Sequence, residues 1–574
     1  MTSSGPDLIV TGGRVYTATA ERPWAEAFAV SGGRILAVGD ADDILPLAGA
    51  GTEILDVNGL LVMPGLTDVH IHLGLGGSQA AWELPILPTD EAEEIYEKVS
   101  DWAQRLGPDE WIVGGIVGST TMDAIMTTDA LARLDEASGG RPLMLRDDSM
   151  HNRWVNSRAL ELMGVTGDTP DPSGGTFVRD ARGKLTGVLH EITSARAEAA
   201  VAASLTDPRA RHRVSYKKAV EIINSYGITA VQDAATMKHG WLALSDLDAA
   251  GELSSWVVGS MPNRPFLEEG EYGEELYPSG LAARTTHVRP DFIKFVLDGV
   301  PMTRTSAMLH PYVCHQGEDP QFHGDAYWTK EELLAGIEYC YDHGFGGKLH
   351  ATGDASVRMV LDAVEDVRRR RGPGPIFQIA HVEFIDDSDI PRFAELEVVP
   401  DASPYIWYPG VIQESIQNQI PAETVMSSWP TKSLLDSGAL LSAGSDWPCV
   451  LPTPDPWLAI ETLVTRANVD PAVPGELNPS QRLGVEEAVV AFTRNPAKAM
   501  GLAEETGTIA PGLSAEFIVL DRDIFAIDPR SIHSTRVLAT YFEGVRVFEA
   551  AESSEDDVRV PSPAALAGLQ KETA

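Results

Sequence analysis

Apolar positions along this chain keep two different rhythms. Near the start they come in short bursts broken by glycine pairs. Asp7-Leu-Ile-Val-Thr-Gly-Gly-Arg-Val-Tyr and Phe28-Ala-Val-Ser-Gly-Gly-Arg-Ile-Leu-Ala-Val-Gly each read as strand, tight turn, strand. Similar bursts return at Gly507-Thr-Ile-Ala-Pro-Gly-Leu-Ser-Ala-Glu-Phe-Ile-Val-Leu-Asp and over 537–548. The pattern predicts a small β-sandwich built from both chain ends, 1–64 and 503–555, with a patternless tail over 556–574. In the middle, apolar runs alternate with stretches of helical period. Strands are expected at 65–72, 227–233, 254–261, 291–298, 346–350, 375–381, 397–402 and 439–446, and helices at 212–226, 329–343, 354–371 and 485–500. Eight such strands with helices between them predict a parallel (β/α)8 barrel over 65–502. The long gap between the first two strands makes 80–205 a large insertion, with a strand of its own near 141–146.

Composition narrows the function classes. The chain has 574 residues, which suits a barrel with additions better than one ordinary core. Its net charge of −40 repels phosphate backbones and anionic lipid, so neither nucleic acid nor membrane is an expected partner. No run approaches the roughly 18 apolar residues of a membrane helix, and the first residues show no basic and apolar leader pattern. The three cysteines, Cys314, Cys340 and Cys449, include no Cys-x-x-Cys pair, as expected of a reducing, cytoplasmic setting. A glycine-rich dinucleotide turn, a Gly-Lys-Ser/Thr phosphate loop and a Gly-x-Ser-x-Gly elbow are all missing from the sequence.

The chemistry gathers where strands end, the face of such a barrel that carries active sites. In Met63-Pro-Gly-Leu-Thr-Asp-Val-His-Ile-His the two imidazoles, His70 and His72, stand two residues apart on a strand and face the same way, as a divalent cation requires. Later strands supply Lys294 in Phe292-Ile-Lys-Phe-Val-Leu-Asp-Gly, His350 in Lys348-Leu-His-Ala-Thr-Gly-Asp, His381 in Phe377-Gln-Ile-Ala-His-Val-Glu, and Asp446 in Leu440-Leu-Ser-Ala-Gly-Ser-Asp-Trp-Pro. A lysine inside Phe-Ile-Lys-Phe-Val is costly to bury unless neutralised or paired, and Asp298 is one candidate partner. Burial also favours the neutral amine, which can add carbon dioxide. Lys348 shares a strand face with His350, where an apolar residue would be expected; it either lies one layer down or pairs with a carboxylate.

These segments resemble the metal-dependent amidohydrolase superfamily, and within it amidohydrolase family 3, the YtcJ-like branch. The matching pieces are Pro64-Gly-Leu-Thr-Asp-Val-His-Ile-His, Lys294-Phe-Val-Leu-Asp-Gly, His350-Ala-Thr-Gly-Asp, Ala380-His-Val-Glu, Gly444-Ser-Asp and the segment from Gly507. In the insertion, Trp154-Val-Asn-Ser-Arg-Ala-Leu and Thr186-Gly-Val-Leu-His-Glu match as well. The resemblance implies that His70 and His72 bind one metal ion, that His350 and His381 bind a second, and that Lys294 bridges the two as a carboxylated lysine. Asp446 is then the ligand that acts as general base and acid, taking the proton of a metal-activated water, which becomes the attacking hydroxide, and passing it to the leaving nitrogen. One or two zinc ions are expected from the imidazole and carboxylate donors, with manganese or iron as substitutes. Asp298 and Asp354 are placed to orient ligands.

His151 and His190, in the insertion, could reach over the barrel mouth. Aromatic side chains near the strand ends and in the insertion (Trp82, Trp154, Tyr405, Trp407, Tyr408 and Trp447) suggest an apolar or aryl substrate, with His151, Trp154, Trp407 and Trp447 as binding residues. The expected activity is hydrolysis of a carbon–nitrogen bond in a small N-substituted amide, as in the formamide deformylases the resemblance includes. The alternatives are a cyclic amide, carbamate, amidine or ester substrate, a metal-dependent decarboxylase, and a non-catalytic scaffold on the same fold. A homodimer is expected by analogy alone.

Overall fold

The computed structural model describes residues 5–551 apart from 149, 173, 266–269, 315–318, 408 and 450. Tyr408 and the segment 556–574 therefore lie outside the described residues. The central feature is a ladder of eight parallel strands: Leu66–Ile71, Ile228–Asp233, Trp256–Pro262, Val288–Val296, Gly346–Ala351, Phe377–His381, Val398–Ala402 and Ser442–Ala443, in that spatial order. Two contacts bring the last strand back to the first. Asp446 N donates to the His70 carbonyl at 2.7 Å, and Ser445 N to the Asp68 carboxylate at 3.1 Å. The ladder is thus a nearly closed barrel, wrapped by helices such as Pro208–Ser225, Lys330–His343 and Asp354–Arg371. Their apolar faces, including Val220, Ile223, Ile337, Val360 and Val364, join one large core with the strands.

Local chemistry sets where these elements begin and end. Helix Pro208–Ser225 starts earlier than its apolar period suggests, because Asp207 caps it by accepting from Ala210 N at 3.0 Å and Pro208 fits the first turn. The single helix expected over 485–500 is two, Val485–Val490 and Arg494–Ala499. Pro496 cannot continue a helix from the preceding turn, and Thr493 between them is not helical. The eighth strand is only Ser442–Ala443, because Asp446 turns out of the ladder with φ 57°.

The chain ends form the β-sandwich. One sheet orders Val545–Glu549, Val537–Phe542, Phe517–Leu520, Leu61–Pro64, Arg14–Tyr16 and Trp24–Ala25, so strands from both ends are neighbours. The other orders Arg34–Gly39, Ala27–Ser31, Leu8–Thr11 and Glu53–Asp56. Between them Phe517 stacks on Tyr541 at 4.2 Å and meets Phe28 edge-on at 5.1 Å. Between the first two barrel strands the chain builds another six-stranded sheet, from Leu84–Pro85 to Leu185–Glu191, with its own cores around Leu134, Leu145 and Trp154 and around Met144, Phe177 and Leu189. Among the described residues no helix is long and apolar enough to cross a membrane, and the three cysteines form no disulfide.

Candidate active site

Strand alternation puts Asp68, His70 and His72 on one side of the first barrel strand. His70 Nε2 and His72 Nε2 lie 3.5 and 3.4 Å from Asp446 Oδ1, and ligand atoms of these three residues all fall within 4.8 Å of one another. Asp446 Oδ1 is buried and makes no hydrogen bond. A buried carboxylate oxygen without a donor is expensive unless something cationic meets it. Burial, followed by the positive charges of Lys294 and Lys348, holds the His70 pKa well below the ordinary imidazole value, so its ring is neutral and able to ligate. An orphaned carboxylate oxygen beside two imidazoles fits a divalent cation. Asp446 holds its place in a left-handed backbone conformation that side chains other than glycine rarely adopt, and His381 does the same with φ 78°.

The other expected ligands close around this group. The His381 ring lies 4.8 Å from that of His70 and 4.6 Å from that of His350, centre to centre. His381 Nδ1 meets Ser403 Oγ at 3.1 Å, and His350 Nε2 meets the Gly299 carbonyl at 3.1 Å. Burial and then Lys294 push the His350 pKa down to about 3, and burial and then His350 depress that of His381. Lys294 Nζ is buried 3.5 Å from His70 Nε2. Burial and then the Lys348 charge lower its pKa to about 8. No carboxylate among the described residues lies within ion-pairing distance of it. Asp298, its candidate partner from the sequence, instead accepts amides from Thr352 at 3.0 Å, Gly353 at 3.0 Å and Ala307 at 3.1 Å. That grip fixes the turn that follows His350.

Lys348 is not part of the cation site. Its Nζ, fully buried, donates to Asp401 Oδ2 at 2.7 Å, the Val69 carbonyl at 2.8 Å and Gln378 Oε1 at 2.8 Å. Asp401 Oδ2 also meets His70 Nδ1 at 2.8 Å, which leaves Nε2 of His70 for a cation. Sequence reasoning passed over Asp401. The signal was there: a buried lysine needs an acid, and Val398–Ala402 contains one carboxylate. Asp68 was passed over too; it accepts from His70 N at 3.0 Å, and burial raises its pKa to about 7.

Above these groups lies a cavity of ≈ 800 Å³ between the barrel mouth and the insertion. His72 and Lys294 are in its floor. Met122, Met126, Met237, Met302, Tyr327 and Trp328 give it apolar walls, and Asp147, His151, His190 and Glu191 a polar roof. His151 is thus at the cavity, as is His190. The other expected binding residues are not. Trp154 is fully buried in the insertion core with its ring 5.7 Å from Tyr96, and Trp407 is fully buried 5.6 Å from Trp429. Trp447 packs over Gly76 in the barrel core, and Tyr405 is a core residue too. Each ring fills space between elements, and the tyrosine, tryptophan and methionines that do line the cavity come from loops and short helices with no strand-end signal. Asp354 also lies apart from the ligands: its Oδ1 accepts from Leu309 N at 2.7 Å and holds that loop.

Known proteins resemble this chain in sequence and in fold. A model of the amidohydrolase family matches residues 53–548. An N-substituted formamide deformylase from Arthrobacter pascens is 29% identical, over 95% of this chain and 99% of that protein. A putative amidohydrolase, YtcJ, from Bacillus subtilis is 27% identical over 94% and 98%. In fold, a crystal structure of an uncharacterised metal-dependent hydrolase from Pyrococcus horikoshii superposes with a TM-score of 0.71 at 23% identity, covering 91% of this chain and 99% of that one. With a near-closed barrel, a cation-ready trio of donors and a family match across most of its length, the chain belongs to the amidohydrolase family and is a metal-dependent hydrolase of carbon–nitrogen bonds.

Proposed function

We propose that the protein hydrolyses the amide bond of a small N-substituted amide whose nitrogen carries an apolar or aryl group. The observation that carries this reading is the orphaned Asp446 Oδ1, set between two imidazoles at the floor of a cavity with methionine and aromatic walls. The similarity to a formamide deformylase supports a short acyl group, formyl first.

His70, His72 and Asp446 would hold one divalent ion, zinc first, with manganese or iron as substitutes. His350 and His381 would hold a second, and Lys294, carboxylated, would bridge the two. Support for the carboxylation is the burial of the Lys294 amine without an anionic partner among the described residues. Bound there, such an ion supplies Lewis acidity that polarises the acyl oxygen and makes water a stronger acid. The chain does the rest. Asp446 accepts the proton of the attacking water and delivers it to the amide nitrogen, without which that nitrogen leaves poorly. Asp401 keeps the His70 tautomer fixed. The methionines adapt their unbranched side chains to the N-substituent and exclude bulk water.

The test is metal analysis of the purified protein, then turnover of a panel of N-formyl and N-acetyl benzyl, phenethyl and alkyl amines, with acid and amine release both measured. The expected result is a metal-loaded protein that releases formate faster than acetate and prefers aryl substituents, and whose His350→Ala variant is inactive. A folded, metal-loaded protein that releases neither product from any member would refute the substrate class.

A further inference from the structure

A second, smaller void meets the substrate cavity at its floor. Its volume is ≈ 120 Å³, and His72, Leu75, Ala235 and Met237 line both. From His72 it follows the helix Leu73–Trp82 past Ser78 and Glu83 to Arg211, whose guanidinium lies 4.9 Å over the Trp82 ring. Ten residues at about 1.5 Å each make that run roughly 15 Å long. Ala202 in its lining is exposed, as is Trp82 under Arg211, so the void opens to solvent. A closed cavity of about 150 Å³ takes one benzene ring. This passage is therefore too narrow for an arylalkyl amine and has room for formate. Most of its charges are matched. Arg146 holds Glu83 and donates to Glu198 at 2.8 and 3.0 Å, and Arg153 Nε donates to Glu198 at 2.7 Å. Asp233, at the His72 end, accepts from Tyr216 Oη at 2.9 Å. Burial and then His239 lower the His212 pKa to about 4, so that ring is neutral. Arg211 differs: it is half-buried, and no carboxylate among the described residues lies within ion-pairing distance of it. The unmatched charge at the outer end is positive.

We propose that this passage is the exit for the small carboxylate formed from the acyl group, with Arg211 drawing it outward, while the amine leaves through the wide cavity. The inference rests on the hydrolytic reading above. Adding water across the carbon–nitrogen bond of a neutral amide gives a carboxylate and, once the proton has moved to nitrogen, an ammonium. The two products differ in size and in sign. The ammonium carries the apolar group that fills the wide cavity, where Asp123, Asp147 and Glu191 are in the lining. The carboxylate is released at the floor, beneath the amine, and the wide mouth is closed to it for as long as the amine stays. The passage begins at that floor, beside His72, and ends at a guanidinium. Charge of one sign at the end of a low-dielectric cleft attracts a counter-ion and raises its rate of passage. Release of product sets the turnover rate of many enzymes, so a second door has kinetic value.

The experiment loads wild type, Ser78→Leu and Arg211→Glu with cobalt, whose visible absorption reports formate reaching the metal ligands. Each is mixed with formate in a stopped-flow instrument, alone and with benzylamine at a concentration that stops turnover of N-benzylformamide. Ser78→Leu narrows the passage midway, and Arg211→Glu reverses the charge at its outer end. With benzylamine present, wild type is expected to take up formate at close to its unhindered rate. Under the same conditions both variants should be slower by about tenfold, a steric block in one and lost attraction in the other. Without benzylamine all three should agree within about twofold, because the wide mouth is then open. Arg211→Glu, at a half-exposed position, carries the test if Ser78→Leu does not fold. Benzylamine that blocks formate in wild type as fully as in Ser78→Leu, variants that match wild type throughout, or slowing of equal size with and without benzylamine would each overturn the passage while leaving the hydrolytic reading intact. A wild type that turns over no amide in the panel removes both.

Discussion

Replacing Lys348 by methionine tests the layer beneath the cation site. Methionine has a similar length and no donor, so Lys348→Met leaves the Asp401 carboxylate, the Val69 carbonyl and the Gln378 amide oxygen without the ammonium each now meets at 2.7 to 2.8 Å. Both members of the pair are fully buried, so solvent cannot step in. Breaking one side of such a pair costs about 3–5 kcal/mol, because the remaining charge stays buried and uncompensated. A second substitution, Asp401→Leu, removes that stranded charge. The double variant is expected to recover stability to within about 1–2 kcal/mol of wild type, as buried pairs replaced whole by apolar groups often do. It is not expected to recover metal binding: His70 Nδ1 loses its carboxylate, which should weaken zinc affinity about 10–100-fold. The assays are urea unfolding of chelated protein and zinc titration of the folded protein, for wild type, both single variants and the double. If the two single losses simply add, or if Lys348→Met shifts stability by less than about 1 kcal/mol, the coupling argued here is wrong.

Further tests address other links. Asp446→Asn keeps one oxygen donor but loses the proton acceptor, and kcat should fall about 10²–10⁴-fold even where zinc is retained; elemental analysis beside turnover checks it, and a fall matched by equal metal loss would assign Asp446 to binding alone. Gly76→Ala would set a methyl group 2.2 Å from the Trp447 ring; it should cost about 1–3 kcal/mol and lower activity by shifting the Asp446 turn, and a fully active variant would refute that link. Glu516 is buried beneath the sandwich, and its pKa is raised by that burial from 4.5 to about 7. A raised folded-state pKa contributes stability that is full below 4.5 and is lost as pH climbs through 7. Glu516→Gln should therefore gain on wild type by about 3 kcal/mol between pH 4.5 and pH 7.5, and parallel stability–pH curves would contradict it. Zinc in hundredfold excess over its Kd should raise unfolding free energy by about 2.7 kcal/mol, an effect that chelation reverses and that a calorimetric scan reads directly.

The barrel was legible because each strand is an apolar run bounded by helical period, and all eight expected strands are present in the ladder. Residues at strand ends were legible for the same reason: one polar side chain in an apolar run is conspicuous, as with Lys294 and His381. What escaped notice depends on contacts between distant segments. The three tryptophans expected at the substrate turned out to fill cores, since burial of an indole is favourable wherever elements pack and leaves no mark in local sequence. Asp401 lies 331 positions from His70 along the chain, and only barrel closure makes them neighbours. Glu191 is likewise recognisable as the partner of His151 only once the insertion has folded, because a single hydrogen bond joins residues on separate strands and loops.

The two cores of the insertion, separate from that of the barrel, have an engineering consequence. A segment that packs chiefly on itself can be exchanged between relatives, or randomised at its cavity-facing positions, while the parts that grip the cation keep their shape. Selectivity for the group on nitrogen could then be retuned from above, with the hydrolytic floor left as it is.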